Sequence, residues 1–295
     1  MKKTRVEKLK KKEKKERKER RKGRRKKMIF IFIFLVIVVT LYSIFLEPRM
    51  LFTHEEKIVS EKISDGIHGL KIVQFSDLHY GTYYNKNNLH KLVKRINKLS
   101  PDVIVFTGDL VDDNYDLNKD DISYITKEFS KLNAKIGKYA VYGNHDVKLE
   151  SFNNILYDSS FVLLKNSYDL VYGNDSKPIL IYGVDDVLFG HPDISNLKDI
   201  QEDIYKIVLV HEPDYIDKID SNVDLVLAGH SHNKQVNIPL ISNFVLPKGA
   251  KKYYKSHYRV NDTDLYVSNG VGCGLIQMRL FSPPSISLFR LTKKK

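Results

Sequence analysis

Aspartate, asparagine and histidine recur in this chain at the ends of short apolar runs. Ile72–Phe75 leads into Ser76-Asp77-Leu78-His79, and Val103–Phe106 into Thr107-Gly108-Asp109. Tyr139–Tyr142 leads into Gly143-Asn144-His145-Asp146, Ile207–Val210 into His211, and Leu225–Ala228 into Gly229-His230-Ser231-His232. Taken singly these pieces say little. Gly-Asp is common turn chemistry, and a histidine after a strand is usually a hydrogen-bonded loop residue. Taken together, five runs each deliver a carboxylate, amide or imidazole at the same end. That donor set suits borderline divalent ions such as Mn, Fe or Zn. The only cysteine is Cys273, so a thiolate site is excluded, as is an intrachain disulfide. So many donors exceed the needs of one ion and fit two ions ~3.5–4 Å apart that share a carboxylate. Asp109, with partners on both sides in sequence, is the natural bridge.

The apolar runs, to which Ile179–Tyr182 belongs, are short, continuous and rich in Val and Ile. They read as strands buried on both faces. Helical patterns lie between them. Leu89, Leu92, Val93, Ile96 and Leu99 share one helix face that Pro101 closes, and Ile122, Ile125, Phe129 and Leu132 make a second stripe. This alternation predicts an α/β layered domain, with the donors at the carboxyl ends of the strands, where open α/β sheets build their sites. After His232 the segments LYVSNGV, MRLF and SISLFRL read as antiparallel strands without helices.

The net charge of +13 is not spread over this domain. Residues 1–27 carry 18 Lys/Arg and 4 Glu, whereas the rest has 31 Lys/Arg against 32 Asp/Glu. The folded part is near neutral, and no nucleic-acid partner is expected. The 19 residues 28–46 are uncharged and apolar. As a helix they span about 28 Å, close to the hydrocarbon core of a bilayer. Basic residues crowd the N-terminal side, so the tail is expected in the cytoplasm and the domain outside. No small-x-small site follows the run, so an uncleaved signal anchor is favoured over a cleaved signal peptide. The expected organisation is a basic cytoplasmic tail (1–27), a transmembrane anchor (28–46), a linker with a lead-in strand (47–66) and the catalytic domain (67–295). The short linker leaves the domain near the membrane lipid.

The motifs DLH, GD, GNHD, a lone His and GHSH, in this order, resemble the calcineurin-like metallophosphoesterase superfamily. GLKIVQFSDLHYG and VSNGVG…RLFSPP are similar to its membrane-associated YkuE/YaeI-like branch. The resemblance implies a layered β-sandwich flanked by helices and a phosphoesterase activity with two divalent metal ions (Mn²⁺, Fe²⁺/Fe³⁺ or Zn²⁺). It implies that Asp77, His79 and His232 hold one ion, that Asn144, His211 and His230 hold the other, and that Asp109 bridges. It implies that His145 protonates the leaving oxygen or stabilises charge, with Asp146 orienting it, while a hydroxide shared by the ions attacks phosphorus. The implied substrate is a phosphodiester or pyrophosphate, with lipid- or envelope-linked esters as candidates. A metal-binding scaffold or sensor without turnover is the alternative. Three positions depart from the branch: Asn233 and Lys234 stand where glycines are usual, and Ser285 follows the paired prolines in place of Glu.

Overall fold

The computed structural model describes residues 2–200, 203–219, 222–238, 246–274 and 276–294. Two compact units divide the chain at Leu46/Glu47. The first unit holds helix α1 (Lys2–Leu41), which runs on through a π-helical turn, Tyr42–Leu46. The basic tail is thus helical and continuous with the apolar run. An 18-residue window of this helix has a mean hydropathy of 3.0. Its apolar side chains are exposed all round, including Phe30, Phe32 and Ile37. A helix apolar on every face and long enough to cross a bilayer is a candidate membrane span.

The second unit begins with β1 (Phe52–Ser60) and β2 (Lys71–Phe75), then α2 (Lys86–Lys98), β3 (Val103–Phe106), α3 (Lys119–Ser130), β4 (Gly137–Ala140) and α4 (Phe152–Asp158). It continues through β5 (Val162–Leu163), β6 (Ser167–Val171), β7 (Ile179–Gly183), β8 (Tyr205–Leu209), β9 (Leu225–Ala228), β10 (His257–Val260), β11 (Thr263–Val267) and β12 (Ser285–Lys293). Two six-stranded sheets form, in the orders β1-β12-β2-β3-β4-β5 and β10-β11-β9-β8-β7-β6. Their centres are parallel, β2-β3-β4 in one sheet and β7-β8-β9 in the other.

Period-two alternation sorts the side chains into layers. Ile72, Val103, Val105, Ile181, Ile207 and Leu225 fill the space between the sheets. Val73, Phe75, Ile104 and Phe106 face the other way, against Leu89, Ile96 and Phe129 of the helices. Each fully buried side chain of this kind contributes about 1.5–3 kcal/mol. The far face of the second sheet is covered by short 3₁₀ turns, Ser195–Leu197 and Pro213–Lys218, and among the described residues the α-helices of this unit flank the first sheet. Asn85 starts α2 with a reciprocal capping box to Asn88, which satisfies otherwise orphaned amides of the first turn. His90 lies on the polar face of that helix. Its Nδ1 sits 3.0 Å from Glu128 of α3 and ties the two helices.

The C-terminal expectation needs correction. β11 pairs antiparallel with β10 but parallel with β9, and β12 runs parallel to β1 and antiparallel to β2. MRLF is not a strand; it contributes one isolated bridge, Val236–Leu280. Phe281 turns into the left-handed region (φ 57°), and the Arg279 side chain occupies carbonyls nearby.

Candidate metal centre

Strands β2, β3, β4, β8 and β9 end on one side of the molecule, and their following loops converge. Gln74, buried at the end of β2, ties the two sheets there. Its amide donates to Thr107 Oγ1 (3.1 Å) and to the carbonyl of Ala228 in β9 (2.9 Å). Glycines let the loops touch. A Cβ on Gly143 would sit 2.3 Å from Asp109 Oδ1, and one on Gly229 would sit 2.2 Å from Ser76 Oγ. Asp77, His79, Asp109, His230 and His232 all have left-handed backbones, with φ between 45° and 67°. Non-glycine residues adopt this conformation at about 1–2 kcal/mol each. Such strain persists where the surroundings over-determine it, and it gathers at functional sites.

The loops bring three groups of donor atoms together, each within 4.8 Å: Asp77/His79/His232, His79/Asp109/His145 and Asp109/His211/His230. His79 Nε2 faces His232 Nε2 at 3.0 Å. Asp109 Oδ2 lies 3.0 Å from His211 Nε2, 3.6 Å from His145 Nε2 and 3.8 Å from His79 Nε2. Asp109 therefore joins the groups on either side. Asn144 follows Gly143, and its Oδ1 is buried without a hydrogen-bond partner, as is His79 Nδ1.

The electrostatics call for a cation. Burial lowers His79 to about 4, and burial with the His211 charge lowers His230 to about 4, so both rings present lone pairs. Burial opposes a proton on His211, yet Asp109 and Asp77 outweigh it and raise the group well above its ordinary value. A charged His211 thus supplies the positive charge that two buried carboxylates need, a role a divalent ion fills better. The rings are also oriented from behind. His211 Nδ1 donates to Thr107 O (2.6 Å) and His230 Nε2 to Lys248 O (2.9 Å), which fixes the nitrogen turned toward the centre. The donor set, the unpartnered atoms and the face-to-face imidazole nitrogens fit two metal ions with a shared carboxylate.

Asp146 does not orient His145. Its carboxylate accepts from the backbone amides of Asp109 (2.7 Å), Leu110 (2.8 Å) and Gly143 (2.9 Å). It locks the β3 loop to the β4 loop and acts on Asp109 through the main chain. The neighbour of His145 is Asp113, whose Oδ1 lies 2.7 Å from Nδ1. Sequence reasoning passed over Asp113; the acidic pair Asp112-Asp113 just after Gly-Asp was the available signal. It also passed over Arg279, whose guanidinium stands 3.3 Å from His232 Nδ1.

The departures from the branch resolve in the backbone. Asn233 (φ 47°), Lys234 (φ 70°) and Gln235 (φ 56°) hold a left-handed path that glycine adopts freely. Lys234 Nζ lies 4.2 Å above the Tyr254 ring, and Gln235 accepts from Gly274 N. Ser285 is buried and donates its N–H to Gly270 O. Of the tyrosines after the first motif, Tyr80 is buried with its hydroxyl on Asp121, Tyr84 is buried, and Tyr83 is exposed.

The family description "calcineurin-like phosphoesterase" matches residues 70–234. The chain is 35% identical to the uncharacterized metallophosphoesterase YkuE of Bacillus subtilis (strain 168), over 85% of this chain and 88% of that one. It is 28% identical to the UDP-2,3-diacylglucosamine pyrophosphatase LpxG of Chlamydia muridarum, over 83% of this chain and 90% of that protein. It is 26% identical to a transmembrane protein with metallophosphoesterase domain of Danio rerio, over 78% of this chain and 55% of that protein. The family match runs from the lead-in to β2 through the last histidine pair of the centre. On that match, and on identity with one relative at 35% of aligned positions, the chain belongs to the calcineurin-like phosphoesterase family and is a metal-dependent phosphoester hydrolase with two divalent ions as its cofactor.

Proposed function

We propose that this protein is a membrane-anchored hydrolase of phosphodiesters or pyrophosphates that acts on a lipid- or envelope-linked substrate outside the cytoplasm. The observation that carries the reading is the run of Asp/His groups Asp77/His79/His232, His79/Asp109/His145 and Asp109/His211/His230, linked to one another through His79 and Asp109. In this reading Asp77, His79 and His232 hold one ion, Asn144, His211 and His230 the other, and Asp109 both. Two divalent ions so held would supply Lewis acidity toward the phosphate and would activate a water as nucleophile. His145 is partly exposed, with its side chain 21% accessible. Its Nε2 faces the centre and its Nδ1 faces Asp113, so it is placed to hand a proton to a leaving oxygen.

A cavity of about 270 Å³ supports a substrate with a second polar moiety. Arg49, Tyr83, Asn88 and Gln277 line it, as does the Gly272 backbone that packs on Leu78 between two of the donors. The pyrophosphatase relative supports a lipid-linked diphosphate, and the transmembrane relative supports anchoring. The full-length chain in detergent with Mn²⁺ is expected to hydrolyse bis(p-nitrophenyl) phosphate and a lipid-linked diphosphate. Absence of turnover with Mn²⁺, Fe²⁺ and Zn²⁺ alike would sink the enzymatic reading.

Orientation rests on the basic residues before the apolar run. A reporter fused after Lys295 should be cleaved by protease added to intact spheroplasts. Protection of that reporter until lysis would reverse the orientation.

A further inference from the structure

Arg279 has no accessible surface. A guanidinium buried so fully requires compensation. Here it is gripped by main-chain carbonyls. Nε and Nη2 donate to Gly272 O (3.1 and 2.5 Å), Nη2 to Gly270 O (3.2 Å), and Nη1 to Ser282 O (2.8 Å). Nη2 also stands 3.3 Å from His232 Nδ1. The held loop is itself bound to the end of β2, because Val271 N donates to Ser76 O (3.0 Å) and Gly272 N to Asp77 O (2.8 Å). Ser282 completes the connection: its hydroxyl donates to His232 O (2.8 Å) and its amide to Glu47 Oε1 (2.7 Å). Glu47 is buried too, and it directly follows the apolar run in sequence.

Everything this network holds belongs to one half of the centre, the Asp77/His79/His232 group. In the other half the imidazole rings are oriented by different carbonyls, His211 by Thr107 O and His230 by Lys248 O, although the His230 amide also donates to the Asp77 carboxylate (3.0 and 3.2 Å). We infer that Arg279 is a positioning residue for the Asp77/His79/His232 cation site, with Glu47 and Ser282 as its clamp. The residue that follows the membrane span is thereby built into the support of one metal ion and not the other. The inference rests on reading the two groups as the cation sites.

The test is Mn²⁺ binding to the metal-stripped full-length chain, by calorimetry and by the electron-spin signal of a coupled manganese pair. Wild type should take up two ions and show the coupled signal; failure to do so would refute the metal reading itself and with it this inference. Arg279→Met should keep one ion at wild-type affinity and bind the second about 10–100-fold more weakly, the usual effect of removing an outer-shell partner. The coupled signal should be lost at matched metal, and Arg279→Lys should restore part of the affinity. Adding His211→Ala to Arg279→Met should abolish the remaining tight site, whereas adding His232→Ala should change little. If Arg279→Met does not fold, Ser282→Ala and Glu47→Gln carry the test, each weakening the same single ion by a smaller factor. Two ions bound at wild-type affinity in all these variants, or equal weakening of both ions, would overturn the inference.

Discussion

Asp109→Asn is expected to lower turnover at least ~10³-fold, the scale of losing metal-assisted generation of a nucleophile. Asp109 belongs to two of the donor groups, with His79 and His145 in one and His211 and His230 in the other, and it is almost fully buried. Its negative charge is what two cations would share. Burial raises its pKa, but the His211 and His145 charges outweigh burial and hold it well below the usual carboxylate range. Asparagine keeps the shape and can still accept the His145 amide that Asp109 Oδ1 now accepts at 3.0 Å. The Asp146 grip on the backbone is also untouched, so the loss is to be read as chemistry and not as unfolding. The check is kcat alongside metal content and the thermal transition. A folded variant with near wild-type turnover and two ions would show that the bridge is elsewhere.

His145→Ala should leave both ions in place, because the proposed ligands remain. Turnover should fall ~10²–10⁴-fold on an ester whose leaving group needs a proton, the range for general acid catalysis. The fall should be much smaller for a p-nitrophenyl ester, whose leaving group departs without one. Asp113→Asn, which alters the group 2.7 Å from His145 Nδ1, should lower turnover by a smaller factor than His145→Ala and with the same dependence on leaving group. Metal loss equal to that of a ligand variant would make His145 a ligand. An equal penalty for good and poor leaving groups would make it a charge stabiliser, with the proton coming from elsewhere.

The strands and the donors were legible because both are local patterns. A buried parallel strand is a short Val/Ile run, and its carboxyl end is where the chain stops being apolar; Leu225–Ala228 and Val103–Phe106 fall where that rule puts them. Edges were less clear. Tyr139–Tyr142 shifts to Gly137–Ala140, since Val141 still bonds to Phe106 O while the chain turns into the loop. What sequence could not show is where side chains reach across the fold. Asp146 adjoins His145 in sequence, yet it turns to three backbone amides that only loop convergence brings near. Asp113 and Arg279 look like ordinary surface charges in sequence, and that each lies beside a histidine of the centre, Arg279 fully buried, is a tertiary fact. The left-handed backbone at Asn233 and Lys234 is equally hidden, since neither residue type announces a positive φ as glycine would. The β11 and β12 directions depend on which sheet each strand joins, and hydrophobic pattern carries no such information.

The central claim is a two-ion centre joined by one carboxylate. The most direct measurement is to strip the full-length chain of metal and add Mn²⁺ in steps, following bound metal and hydrolysis of bis(p-nitrophenyl) phosphate together. The account predicts uptake of two ions per chain, with activity appearing as the second site fills, and no comparable uptake by Asp109→Asn. Full activity with a single bound ion, or two ions retained in Asp109→Asn, would contradict it.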